Sequence, residues 1–181
     1  MAKMYFIAFV APQEIDRQVL EWKNFMKDHY GCVVALRSPA HITLIPPFWI
    51  DETLQTDLQN SLEEFSATQE PFIVHLKDFS AFKPRVIYVA VEQNEDLQKI
   101  KSSLENFLLA KNIFPIKAED RPFHPHVSIA LRDLHKKAFH EAWEIFSKKN
   151  YAAEWPVKGI SLLRHNEKNW EVINTSQLAN P

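Results

Sequence analysis

Glycine is almost missing from this chain, with two residues in 181, at positions 31 and 159. A loop that wraps a phosphate with backbone N–H groups needs several glycines within a few positions. Their scarcity excludes both the Walker and the dinucleotide type of Gly-rich loop. Cysteine is scarcer still. The lone Cys32 excludes an internal disulfide, and its apolar Cys32-Val33-Val34-Ala35 setting reads as a small core residue in a reducing compartment. No apolar run reaches membrane-spanning length, so no membrane association is expected. The first ten residues, Met1 to Val10, hold one lysine and a short apolar run without a cleavage site. They read as a strand rather than a secretory signal, which places the protein in the cytoplasm. A large excess of one charge sign is absent too, with 21 Lys and Arg against 23 Asp and Glu. A formal net charge of −2 gives no general basic field. That gives no support for bulk binding to duplex nucleic acid while leaving room for a locally basic cleft that takes a strand end.

What the chain does have is an ordinary globular balance, 46% hydrophobic and 24% charged. A chain of this length buries a sizeable core. We read residues 1–181 as a single domain, built as one compact unit or as two small lobes sharing a core. Met4 to Val10 reads as a buried strand. Pro12-Gln13-Glu14 opens a helix with Ile15, Val19, Trp22, Met26 and His29 at alternating steps of four and three, and Gly31 caps it. Cys32 to Leu36 reads as a short strand, and the strand 41–45 ends at Pro46-Pro47. A second helix starts at Asp51 or Glu52 and turns Leu54, Leu58, Leu62 and Phe65 inward. Strands over 71–79 and 85–91 follow, joined by residues 80–84, and then a helix over 94–111. A looser segment leads to a strand over 124–131 and a helix over 134–149, with Ala138, Ala142, Ile145 and Phe146 inward. Two closing strands fall near 155–164 and 169–175. Few helices link strand to strand singly, so a doubly wound parallel sheet does not fit. An α+β architecture of mainly antiparallel sheets, with helices on their outer faces, does.

One pattern occurs twice. His41-Ile42-Thr43-Leu44 is answered 85 positions later by His126-Val127-Ser128-Ile129. Each copy reads His, apolar, hydroxyl, apolar, so on a strand the imidazole and the hydroxyl share a face. With eight His and 15 Ser or Thr in the chain, one such tetrad is unremarkable. Two arise by chance in on the order of one chain in a hundred. Two imidazoles suit concerted acid–base work near neutral pH, one taking a proton and the other giving one. The hydroxyls, about 6–7 Å further along each strand, are spaced to hold the non-bridging oxygens of a phosphate lying between the rings. No step of such chemistry requires a metal or an organic cofactor.

The paired tetrads resemble the two-histidine (2H) phosphoesterase superfamily, in particular its 2′-5′ RNA ligase-like branch, which includes RNA 2′,3′-cyclic phosphodiesterases. Supporting pattern comes from Ala11-Pro12, the Arg37-to-Phe48 segment, Phe82-Lys83-Pro84-Arg85-Val86-Ile87-Tyr88-Val89, and Phe123-His124-Pro125-His126. The resemblance implies a bilobal fold with two pseudo-symmetric lobes, two antiparallel sheets facing a central cleft. It also implies metal-independent opening of 2′,3′-cyclic phosphates on RNA ends or small nucleotides, usually leaving a 2′-phosphomonoester. Some members reversibly join 2′-5′ linkages. The partner implied is that RNA end or nucleotide, with no obligate protein partner. Carried over by position, His41 is the proton donor, His126 the proton acceptor, and Thr43 and Ser128 bind phosphate oxygens. Many RNA-acting relatives place Arg where this chain has Leu131. Arg132 follows and shares parity with His126 and Ser128, so it faces the cleft if the strand continues.

Lesser candidates have plainer readings beside them. Arg85, with Lys83, either contacts the substrate phosphate or solvates a turn. Tyr88 and Phe48 either stack a base or pack in the core. Arg37 is a weaker cleft candidate. His124, His126 and His165 offer an alternative zinc set, against which stands the absence of any compact ligand motif. A non-catalytic reader of RNA ends or nucleotides is the alternative from a different class. His29, His75, His135 and His140 read as surface residues.

Overall fold

The computed structural model describes residues 1–179. Two four-stranded antiparallel sheets make up the α+β fold. The first is ordered β2-β1-β7-β8, from β1 (Ala2–Val10), β2 (His41–Asp51), β7 (Gly159–His165) and β8 (Trp170–Gln177). The second is ordered β5-β4-β3-β6, from β3 (Phe72–Phe82), β4 (Val86–Val91), β5 (His126–Ala130) and β6 (Ala152–Val157). Both motif strands, β2 and β5, are therefore edge strands, and these two edges lie against each other. The helices are α1 (Gln13–Tyr30), α2 (Gln55–Ser66), α3 (Glu95–Lys111) and α4 (Lys136–Phe146). Among the described residues no helix is long and apolar enough to cross a membrane.

Alternation decides which face of each strand is dry. On β1, Tyr5, Ile7 and Phe9 enter the main core with Ile42 and Leu44 of β2 and Val127 and Ile129 of β5. The opposite face of β1 presents Phe6 and Ala8, which join Leu163 in a small separate cluster flanked by Val10 and Trp170. Each helix closes the main core with its periodic stripe: Ile15, Val19 and Met26 on α1, Leu58, Leu62 and Phe65 on α2, Leu97, Ile100, Leu104 and Leu108 on α3. Each such side chain contributes about 1.5–3 kcal/mol by leaving water. Asn94 and Asp51 supply side-chain caps, accepting from the N–H groups of Leu97 and Thr53. Gly31, at φ 71°, ends α1 with N–H bonds back into its last turn, as expected. Cys32 is buried; burial and the charge of Asp133 push its thiol up to about 11, which keeps it inert.

The structure departs from the sequence reading at several points. Residues Val34–Arg37 form a 3₁₀ turn rather than part of a strand at 32–36, because the Val33 and Val34 N–H groups donate to the Asp133 carboxylate (2.6 and 2.9 Å) instead of to a neighbouring strand. β2 does not stop at Pro46-Pro47. Tyr5 pairs with Phe48 and Ile7 with Ile45, so a bulge takes up the prolines, and on an edge strand the missing N–H groups are tolerated. The stretch 155–164 divides at Lys158 between two sheets. Gly159 permits the switch, since a Cβ there would sit 2.9 Å from Thr175 Cγ2 and 3.0 Å from the Ser176 carbonyl. β3 runs on to Phe82, and β5 is shorter than the strand expected over 124–131. On α4 the inward face is Phe139, Ala142 and Phe146, while Ile145 is exposed.

Candidate active site

Between the two motif edges lies a cavity of about 270 Å³. His41 and Thr43 line it from β2, His126 and Ser128 from β5. Two segments 85 positions apart thus deliver both imidazoles and both hydroxyls to one space. Alternation accounts for this directly. Ile42 and Leu44, like Val127 and Ile129, are fully buried on the core side, which turns the intervening hydroxyl and the preceding imidazole to the cleft.

The two rings are held in the same way. His41 Nδ1–H donates to the carbonyl of Pro39 (2.7 Å), and His126 Nδ1–H donates to the carbonyl of His124 (2.8 Å). In each case the acceptor lies two residues earlier. A backbone carbonyl only accepts, so each Nδ1 carries the hydrogen and each Nε2 is left free to exchange a proton. Burial drives both rings toward the neutral form. For His41 the value falls to about 4, with burial the main cause, the Pro39 hydrogen bond opposing it and the charges of Lys23 and His126 adding to it. His126 is lowered as well, first by burial and also by the nearby His124, against its backbone hydrogen bond.

Each imidazole rests on an aromatic partner. The His41 ring lies 4.9 Å from Phe6, which meets Trp170 edge-on at 4.6 Å, and Trp170 meets His165 at 4.9 Å. The His126 ring lies 5.1 Å from both Tyr88 and Phe82. Met4, Phe6, Trp170 and His165 line the cavity, and nothing in the spacing of the tetrads points to them. They come from β1, β7 and β8, and the pairing of β1 with β7 (Phe6 opposite Leu163) and of β7 with β8 (His165 opposite Trp170) brings that corner together.

The lesser candidates separate cleanly. Arg132 lines the cavity, but not by strand parity: β5 ends at Ala130 and Arg132 takes a left-handed φ of 54°. The Asp133 N–H closes this turn on the Leu131 carbonyl at 2.6 Å, and the Asp133 carboxylate anchors it to the 3₁₀ turn that carries Arg37. Arg37, Ser38 and Leu131 complete that rim. Arg85 does not reach the cavity: it is exposed in the β3–β4 turn, where its N–H bonds the Phe82 carbonyl. Phe48 is a core residue, because the bulge at the prolines puts it opposite Tyr5 on the dry face of β2. Tyr88 is also outside the lining. It is 3% exposed, backs the His126 ring and shares a hydrogen bond of 3.1 Å with His124 Nε2. Among the described residues no three His, Cys, Asp or Glu side chains converge as a metal-ligand set, so His124, His126 and His165 are not assembled into one.

The sequence profile of the 2′-5′ RNA ligase superfamily matches residues 11–169, a span that holds both tetrads. The chain belongs to that superfamily. A Geobacillus sp. (strain WCH70) relative, provisionally named a phosphoesterase, is 26% identical over 174 residues, covering 94% of each chain. A Bacillus subtilis (strain 168) relative named RNA 2′,3′-cyclic phosphodiesterase is 31% identical over 94 residues, half of each chain. Among solved structures, Escherichia coli LigT complexed with 3′-AMP superposes with a TM-score of 0.71 at 18% identity, covering 99% of this chain and all of that one. TT0787 of Thermus thermophilus gives 0.66 at 20% identity, covering 97% of each. Both share the two-sheet fold of this 2H phosphoesterase chain.

Proposed function

We propose that this 2H-type protein is a phosphoesterase that opens 2′,3′-cyclic phosphates on RNA ends or small nucleotides, with His41 and His126 as its acid–base pair. The observation that carries this reading is the shared cavity: two imidazoles with free Nε2 atoms and two hydroxyls line one space of about 270 Å³. In the reaction, water attacks phosphorus as His126 takes its proton. The P–O3′ bond breaks and His41 gives a proton to the departing 3′ oxygen. A 2′-phosphomonoester and a free 3′ hydroxyl remain. Thr43, Ser128 and the Arg132 guanidinium hold the non-bridging oxygens as charge builds on them. Burial, with the charges of Lys23 and His126 adding to it, keeps His41 neutral, and an anionic phosphate between the rings supplies the opposite charge that favours its protonated form. Trp170, partly exposed on the cavity wall and backed by Phe6, offers a face for the base. Both proton transfers belong to side chains, so the reaction runs without a metal. With a free 5′ hydroxyl attacking phosphorus in place of water, and its proton passing to His126, the same displacement breaks P–O3′ and leaves a 2′-5′ linkage. The buried, inert Cys32 suits a cytoplasmic protein.

The test is a panel of 2′,3′-cyclic nucleotides, cyclic-phosphate RNA ends and 2′-5′ dinucleotides. It is run with the wild type and the His41→Ala, His126→Ala double variant, with and without EDTA. Turnover by the wild type that survives EDTA and vanishes in the double variant is the expected result. Tight binding without turnover, or full inhibition by EDTA, counts against it.

A further inference from the structure

Two charged side chains on α1 stand behind the cleft, where neither the tetrads nor the cavity lining accounts for them. Lys23 is 3% exposed, an unusual place for a lysine, and its ammonium donates to the Ser38 carbonyl at 2.9 Å. Asp16, two helical turns earlier, accepts the Ala40 N–H at 2.6 Å. Between these anchors lies Pro39, whose carbonyl receives His41 Nδ1–H. The Ala40 carbonyl in turn accepts from Ala11 N–H at 2.9 Å. The backbone from 38 to 40 is thus pinned at every turn, and two of the pins are opposite charges from one helix face.

We infer that Lys23 and Asp16 are positioning residues for His41: together they fix the Pro39 carbonyl that holds the ring in its Nδ1–H form with Nε2 toward the cleft. The inference rests on the reading of His41 as an acid–base group. A packing role alone does not call for charge here, since an apolar side chain would fill the same space under Ser38. Electrostatics agree with the geometry. Lys23 pushes the proton affinity of His41 down and Asp16 pushes it up. The other charged or titratable groups at the ring are His126 across the cleft and Arg37, Arg132 and His165 around the cavity. Of all these, only Lys23 and Asp16 also hold the loop.

The experiment follows the His41 ring by NMR in the full chain labelled at histidine, with the signal assigned by its loss in His41→Ala. Lys23→Met removes the ammonium and keeps the stem; Asp16→Asn removes the charge and keeps an acceptor for Ala40. Lys23→Met is expected to raise the ring's titration midpoint by roughly half to one pH unit, and Asp16→Asn to lower it by a similar amount. Loosening of the loop in Lys23→Met also appears as a mixture of ring tautomers, and as a loss in kcat of roughly tenfold with KM little changed. Shifts in the same direction for both variants, or none beyond about 0.2 pH unit, overturn the inference. If Lys23→Met does not fold, the sign of the Asp16→Asn shift decides alone. Ring titration needs no turnover, so it separates from the catalytic reading: wild-type activity in His41→Ala sinks that reading and leaves the ring shifts standing.

Discussion

The two histidine edges carry the same tetrad and the same clamp, yet their surroundings differ. His41 begins the edge strand β2, rests on Phe6 and has a buried lysine and an aspartate behind its loop. His126 begins the edge strand β5, rests on Tyr88 and Phe82, and has an exposed histidine behind its loop. What repeats is what a strand and a carbonyl two residues back can enforce, namely face and tautomer. What does not repeat is the charge set around each ring, which comes from elements distant in sequence. Similar motifs therefore need not make interchangeable acids and bases, and the sharpest tests treat the edges separately.

The largest effect is expected from the rings. His41→Ala and His126→Ala should each lower turnover on a cyclic-phosphate RNA end by at least about a hundredfold. The double variant should fall little further, because the pair acts as a unit. Steady-state kinetics on the three proteins checks this. Full activity in either single variant breaks the equivalence of the two edges at its root.

The pH dependence comes next. Both imidazoles are lowered, so the bell in kcat/KM, which reports the free enzyme, should be centred below the free imidazole value of about 6.5. Bound phosphate raises both rings, so the bell in kcat should lie at higher pH. A kcat/KM profile centred above 7 contradicts the burial argument. Stability follows the same sign. His41 in the folded chain has a value near 4, below its unfolded value, so the unfolded state holds more protons as pH falls from about 6.5 to 4. Up to about 3 kcal/mol of stability is lost across that window, and denaturant midpoints in His41→Asn should be correspondingly less acid-sensitive.

Much of this was legible in the sequence, and the limits have physical causes. Strand alternation around His41 and His126 depends only on neighbouring residues, so the face of each ring and hydroxyl could be read from the chain. The helices over 13–30, 55–66 and 95–111 announce themselves by period and caps. Tertiary context decided the rest. Pro46-Pro47 looks like a strand end until β1 is placed beside it and the bulge appears. Phe48, which the sequence leaves open between base stacking and core packing, lies opposite Tyr5 in the core. Arg132 reaches the cavity through a left-handed turn that parity cannot foresee, and Asp133, which secures the turn, acts on residues 100 positions away. Lys23 sits on the core stripe of α1, where a periodic reading expects an apolar side chain.

The hydroxyls and the Arg132 turn give intermediate effects. Thr43→Val and Ser128→Ala should each cost roughly tenfold to a hundredfold in kcat, if their hydroxyls stabilise charge in the transition state. A clear difference between the two would show which edge holds the oxygen that gains more charge. Asp133→Ala leaves the Val33 and Val34 N–H groups without their acceptor and frees the Arg132 turn. It should lower stability by about 1–2 kcal/mol and raise KM more than it lowers kcat.

The smallest expected effect has the opposite sign. Burial pulls Lys23 down to about 8, with Asp16 opposing. Its folded value therefore lies below its unfolded one, and at neutral pH the folded chain bears the cost of a charged group it would rather shed. That cost fades as pH rises from about 8 toward 10.5, the range in which the unfolded state still holds the proton. Lys23→Met removes the cost at the expense of one hydrogen bond to Ser38, so at pH 7 it should gain about 1 kcal/mol, read as a rise of a few degrees in Tm. The gain should shrink when the melt is repeated at pH 9.5. A variant that is more stable and slower would mean that the His41 edge retains its buried charge for the ring in front of it. One that is less stable at both pH values would make Lys23 an ordinary structural anchor, and the two edges more alike than their surroundings suggest.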